Sequence, residues 1–100
     1  MKITEILPTE LVVPQLVQSS KKAVLRELAE HLVRVYPSID IEQLVQVLWE
    51  RESLGSTAIG DGIAIPHGKL PGIETVLCAF GRHPEGVDFD SLDGKPTHIF

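Results

Sequence analysis

The chain has 100 residues, with 9 basic and 14 acidic side chains, a formal charge of −5 and 43% apolar residues. That length suits one domain with an ordinary core, and the acidic balance argues against a nucleic-acid surface, which needs clustered Lys and Arg. The single cysteine, Cys78, excludes an internal disulfide and fits a reducing cytoplasm.

The opening "MKITEILPTELVV" does not read as a basic-then-apolar leader. No apolar run approaches the roughly 20 residues that span a bilayer, so no membrane insertion is expected. Residues 1–19 mix β-branched side chains with Pro8 and Pro14, predicting a short strand or an irregular segment. Ser19 or Ser20 then offers an N-cap. Val24, Leu25, Leu28, Ala29, Leu32 and Val33 recur at i, i+3, i+4 spacing and predict a helix over residues 21–35. Tyr36-Pro37 ends it, because the residue before proline disfavours helical backbone.

Asp40 caps a second predicted helix, with Gln43 as the reciprocal partner of a capping box. Its apolar stripe is Ile41, Leu44, Val45 and Leu48, and it runs to about Arg51 or Glu52, where "SLGS" breaks it. Arg51 thus falls in the last turn, where a cation complements the helix dipole. Ile63 to Ile65 predicts a short strand, and residues 73–81, "IETVLCAFG", a longer one. Residues 82–96 read as a turn-rich connection with a brief strand at Val87 to Phe89 and a turn at Asp93-Gly94. Thr97 to Phe100 begins a further strand. Two helices followed by several strands fit an α/β or α+β sandwich of undetermined strand order. The stop at an incipient strand predicts a single domain over residues 1–100 that is incomplete at its C-terminus.

The stretch "GSTAIGDGIAIPHGK", residues 55–69, holds four of the eight glycines. His67 lies between Pro66, which fixes one flank, and Gly68, which permits a sharp turn or a close approach. An imidazole placed so is presented for chemistry near neutral pH; a turn histidine without a role stands beside that reading. Gly55, Gly60 and Gly62 can expose backbone N–H groups as an anion-binding concavity, with Ser56 and Thr57 adding hydroxyls. Arg51, just upstream, carries a guanidinium fork that matches phosphoryl oxygens. No Walker loop is present. The set has what reversible phosphorylation on histidine requires, although a purely structural loop with Arg51 capping its helix fits the residues as well.

Residues 51–69, "RESLGSTAIGDGIAIPHGK", resemble the active-site segment of the enzyme IIA domains of the fructose/mannitol class. These domains belong to the bacterial phosphoenolpyruvate-dependent sugar phosphotransferase system. "GIAIPHGKL" at residues 62–70 is most similar to the nitrogen-regulatory subgroup. "SKKAVLRELAEHL" at 20–32 resembles the family's first helix, and "GVDFDSLDGKPTHIF" at 86–100 its later segment. The resemblance implies a mixed β-sheet flanked by helices, with the C-terminal part of the fold missing from this sequence. It implies that His67 accepts a phosphoryl group through Nε2 from a histidine-containing phosphocarrier protein. It also places Arg51 beside the active site, Ser56 and Thr57 in the phosphoryl-binding loop, and the chain in the cytoplasm. No cofactor is implied.

Family members carry a second active-site histidine in a later portion, which neither His83 nor His98 matches; these two and His31 read as structural or solvated. Onward partners implied are an enzyme IIB component or a regulatory target. In the nitrogen-regulatory branch the phosphorylation state switches partner binding without sugar transport. A metal site from His67, Cys78, His83 and His98 is disfavoured, because their spacings match no zinc pattern. A scaffold without chemistry is the remaining alternative.

Overall fold

The computed structural model describes residues 2–100. A short helix α1 (Ile3–Ile6), a 3-10 turn (Thr9–Leu11) and a two-residue strand β1 (Val12–Val13) take up the first segment. Helices α2 (Lys21–Val35) and α3 (Ile41–Leu54) follow, then β2 (Ala58–Gly60), β3 (Ile63–Ala64), β4 (Phe80–Val87) and β5 (Thr97–Ile99). The strands form one mixed sheet in the order β1-β4-β5-β3-β2. β1 runs parallel to β4 and β3 parallel to β5, while β4–β5 and β2–β3 are antiparallel.

Both long helices start where the caps place them. The Ser20 hydroxyl accepts from the Ala23 N–H at 3.3 Å. The Asp40 carboxylate accepts from the N–H groups of Glu42 at 2.9 Å and Gln43 at 3.4 Å, satisfying donors that a helix start leaves unpaired. α3 continues past the expected break to Leu54, with Gly55 as its C-cap.

The periodic faces of the helices bury as the spacing requires. Val24 and Leu25 of α2 pack with Val13, Leu16, Ala58, Ala64, Val87, Phe89 and Phe100 in one core cluster between helix and sheet. Phe89 and Phe100 meet edge to face with ring centroids 5.1 Å apart. Ala29, Ile39, Leu44 and Val45 form a second cluster between α2 and α3.

Two sequence expectations fail for reasons of pairing. Residues 73–79 form no strand, although their apolar run favours one. Pairing begins only at Phe80 and Gly81, opposite Val12 and Val13, and β propensity without a neighbouring ladder does not make a strand. Conversely, β4 runs through "RHPEGV", which reads as a turn-rich link, and Phe89 lies outside it. Pro84 is accommodated because register is kept only at Arg82↔Ile99 and Val87↔Thr97, with a bulge between. Gly86, at φ 88°, closes that bulge by donating its N–H to Nδ1 of the buried His83 at 2.9 Å.

Two buried carboxylates join segments that the sheet does not. Glu27 of α2 accepts from the N–H groups of Val17 and Gln18 at 3.0–3.1 Å, anchoring the approach to the helix. Glu52 of α3, only 3% exposed, accepts from the Thr57 N–H at 2.9 Å and the Thr57 hydroxyl at 2.6 Å. Lys21 lies 3.2 Å from Glu52 and 3.1 Å from Asp90, so the start of α2, the end of α3 and the link after β4 share one charge cluster.

Burial alone would push the Glu52 carboxyl up. Hydrogen bonds from the Thr57 hydroxyl and N–H, joined by Lys21 and Ser56, outweigh burial and hold it below the ordinary value of 4.5. A carboxyl held low in the folded chain stabilises it fully above the unfolded value, and that stabilisation is lost as pH falls through the folded one. Glu52→Gln is therefore expected to be less stable at neutral pH by about 1–3 kcal/mol. The gap should narrow once pH drops below about 4.5; urea unfolding at neutral and acid pH measures it, and a pH-independent gap would contradict the assignment. Asp40→Ala should cost about 0.5–2 kcal/mol in the same assay through loss of the α3 cap.

Candidate functional site

β2 and β3 form a tight hairpin whose two turn residues, Asp61 at φ 56° and Gly62 at φ 77°, both take left-handed backbone. The Asp-Gly pair between apolar residues is the sequence signal for such a turn; read only as part of a glycine-rich loop, the stretch conceals β2. The hairpin returns the chain alongside residues 55–57, and the Ile65 N–H donates to the Thr57 carbonyl at 3.1 Å. Ile65-Pro66-His67 then leaves the sheet toward the end of α3.

His67 is exposed, and its Nδ1 lies 2.9 Å from the Ile65 carbonyl oxygen. A carbonyl only accepts, so Nδ1 carries the proton. In the neutral ring Nε2 is then the nitrogen with the free lone pair. Gly68 allows the loop to lie against α3: a Cβ at that position would overlap the Val47 side chain. The close approach that the P-H-G triplet permits is thus made.

Arg51 and His67 line one open cleft of about 770 Å³, together with Val47, Glu50, Ser53, Leu54, Gly68 and Lys69. The Arg51 guanidinium also donates to the Gly55 carbonyl at 2.9 Å, which fixes the turn out of α3 and directs the arginine along the loop. On the other side of His67 lies a separate, mainly apolar hollow of about 600 Å³ between α2, α3 and residues 73–79.

Ser56 and Thr57 do not line the cleft. The Ser56 hydroxyl donates to the Phe89 carbonyl at 2.6 Å and accepts from the Ala58 N–H at 3.0 Å. Thr57 is buried with its hydroxyl on Glu52. Both hydroxyls are engaged within the chain and hold the loop in shape. Sequence reading passed over Glu52; its signal was a carboxylate at the helix end five residues before a threonine.

The remaining histidines lie elsewhere. His83 is buried in the β4 bulge, His98 donates from Nδ1 to the His83 carbonyl at 2.9 Å, and His31 on α2 lies 3.5 Å from the Arg34 guanidinium. Among the described residues no helix is long and apolar enough to cross a membrane.

Known proteins share the sequence and the fold of this chain. The chain is 40% identical over 99 residues to a nitrogen regulatory protein of Bradyrhizobium diazoefficiens, covering 99% of this chain and 64% of that protein. It is 38% identical over 99 residues to the fructose-specific EIIABC component of Bacillus subtilis, covering 99% of this chain and 16% of that one. The crystal structure of nitrogen regulatory protein IIA-Ntr from Neisseria meningitidis superposes with a TM-score of 0.90 at 40% identity, over 97% of this chain and 66% of that one. Enzyme IIA-mannitol of Escherichia coli, solved in complex with phosphorylated enzyme IIB-mannitol, superposes with a TM-score of 0.71 at 28% identity, over 91% of this chain and 64% of that one. The chain thus spans about two thirds of the nitrogen-regulatory relatives. The model of the family described as "Phosphoenolpyruvate-dependent sugar phosphotransferase system, EIIA 2" matches residues 5–100, and the chain belongs to that family.

Proposed function

We propose that this chain is a phosphotransferase-system enzyme IIA component that accepts a phosphoryl group on Nε2 of His67 from a histidine-containing phosphocarrier. The observation that carries the proposal is the Nδ1–H bond to the Ile65 carbonyl, which leaves Nε2 as the nucleophile in a cleft shared with Arg51. In the transfer a P–N bond forms at Nε2 while the P–N bond of the donor phosphohistidine breaks, and the donor ring leaves neutral. Positive charge develops on the His67 ring as its lone pair is shared, and the Ile65 carbonyl stabilises it. Arg51 neutralises the phosphoryl oxygens through its fork. Ser56 and Thr57 act at one remove, by shaping the phosphoryl-binding loop.

A regulatory reading is favoured by the 40% identity to nitrogen regulatory proteins. Here the phosphoryl group is held as a signal, and its presence or absence decides which protein binds. The sugar-transport alternative passes the group to an enzyme IIB; the phosphorylated partner in the mannitol complex supports that use. Both place the chain in the cytoplasm.

Incubation of full-length protein with phosphoenolpyruvate, enzyme I and phosphocarrier should give acid-labile phosphate on wild type and none on His67→Ala. Equal labelling of the two would end the proposal. Arg51→Ala should keep wild-type circular dichroism and transfer phosphate roughly 10- to 100-fold more slowly, the loss associated with a charged hydrogen bond.

A further inference from the structure

We infer that Glu52 is a positioning residue for His67, acting through Thr57 and Ile65; this rests on the phosphoryl-acceptor reading above. The geometry forms an unbroken line of contacts. Lys21 Nζ stands 3.2 Å from Glu52, and Glu52 holds both the N–H and the hydroxyl of Thr57. The Thr57 carbonyl holds the Ile65 N–H at 3.1 Å, and the Ile65 carbonyl holds His67 Nδ1 at 2.9 Å. Each joint is a hydrogen bond between groups whose positions the next joint needs.

The link is positional and carries no proton. The N–H and C=O of a residue belong to different peptide units, so neither Thr57 nor Ile65 conducts charge from Glu52 to the ring. What travels is placement. Thr57 is pinned at two points, its carbonyl therefore faces the returning strand, and that fixes Ile65 and the oxygen against which the imidazole sets its tautomer. The His67 ring is exposed, and the bond to Ile65 is its one hydrogen bond to the rest of the chain among the described residues. A small displacement of that carbonyl would free the ring to rotate and exchange tautomers.

Arg51 belongs to the same device. It neighbours Glu52 on α3, and successive residues of a helix point about 100° apart. Glu52 therefore faces inward to Thr57 while Arg51 faces the cleft and holds the Gly55 carbonyl. The two side chains hold residues 55–57 at two points, Arg51 at the Gly55 carbonyl and Glu52 at the N–H and hydroxyl of Thr57.

The test changes Thr57, because this leaves the buried Glu52 carboxylate its Lys21 partner. Nitrogen-15 shifts of the His67 ring report which nitrogen carries the proton, with no need for phosphoryl transfer. In full-length protein, Thr57→Val with wild-type circular dichroism is expected to move His67 from the Nδ1–H form toward a mixture of tautomers. It is expected to lower kcat for phosphoryl transfer about tenfold while leaving the KM for phosphocarrier unchanged. Thr57→Ser, which keeps the hydroxyl, should recover most of both. Wild-type ring shifts and kcat in Thr57→Val, or no recovery in Thr57→Ser, would overturn the assignment. Displaced ring shifts in a protein that takes up no phosphate even as wild type would support the positional link and remove only the phosphoryl-acceptor reading.

Discussion

The buried carboxylate of Glu52 is the constraint on which the rest of the site depends. A desolvated anion is costly unless its oxygens are filled, and here two donors from Thr57 and the ammonium of Lys21 fill them. Those partners come from the loop after α3 and from the first residue of α2, so satisfying one charge fixes the relative placement of two segments. Lys21 also reaches Asp90 and stands 5.1 Å from the centroid of the Phe89 ring. The same cation that compensates Glu52 thereby ties the hydrophobic core to the loop that carries Ser56.

From this anchor the path to His67 is short and stiff. The Asp61-Gly62 turn brings the chain back beside its own loop, and Gly68 lets it settle on Val47. A glycine-rich stretch of this kind suggests mobility in isolation. In the fold, its glycines serve a tight hairpin and a close helix contact, and its hydroxyls are spent internally. The imidazole is left facing solvent, with Nδ1 occupied and Nε2 open.

Much of the architecture was legible in the sequence because helices signal themselves locally. The stripes of α2 and α3, the Ser20 and Asp40 caps and the Asp93-Gly94 turn all depend on residues within a few positions of one another. The sheet was less legible, because strands are settled by partners distant in sequence. Residues 73–79 have the composition of a strand and no ladder, whereas β4 contains a proline and two glycines and pairs through a bulge that only His83 and β5 explain. Within the site, His67 and Arg51 stood out by residue type, and the structure brings them to one cleft. Ser56 and Thr57 stood out for the same reason, but a hydroxyl's partner is a matter of three-dimensional placement. Glu52 drew no notice because a glutamate at a helix end ordinarily faces water.

The charge of the cleft bears on how one site serves both relay and regulation in the proposed function. Its ionic lining is Arg51 and Lys69 against Glu50, so the unmodified cleft is positive. A phosphoryl group adds negative charge that offsets this surplus and changes the charge of the surface around His67. A partner that docks by charge complementarity then distinguishes the two states without any change in backbone. The unmodified, positive state attracts an anionic phosphorylated donor, and the phosphorylated state attracts it less. Whether the group is then passed on or read as a signal depends on the next surface presented to the cleft, since acceptor geometry at Nε2 is the same for both. The demand on this chain is that the ring be held in one tautomer while everything beside it stays open to a partner, and the line from Glu52 to Ile65 meets that demand from beneath the surface.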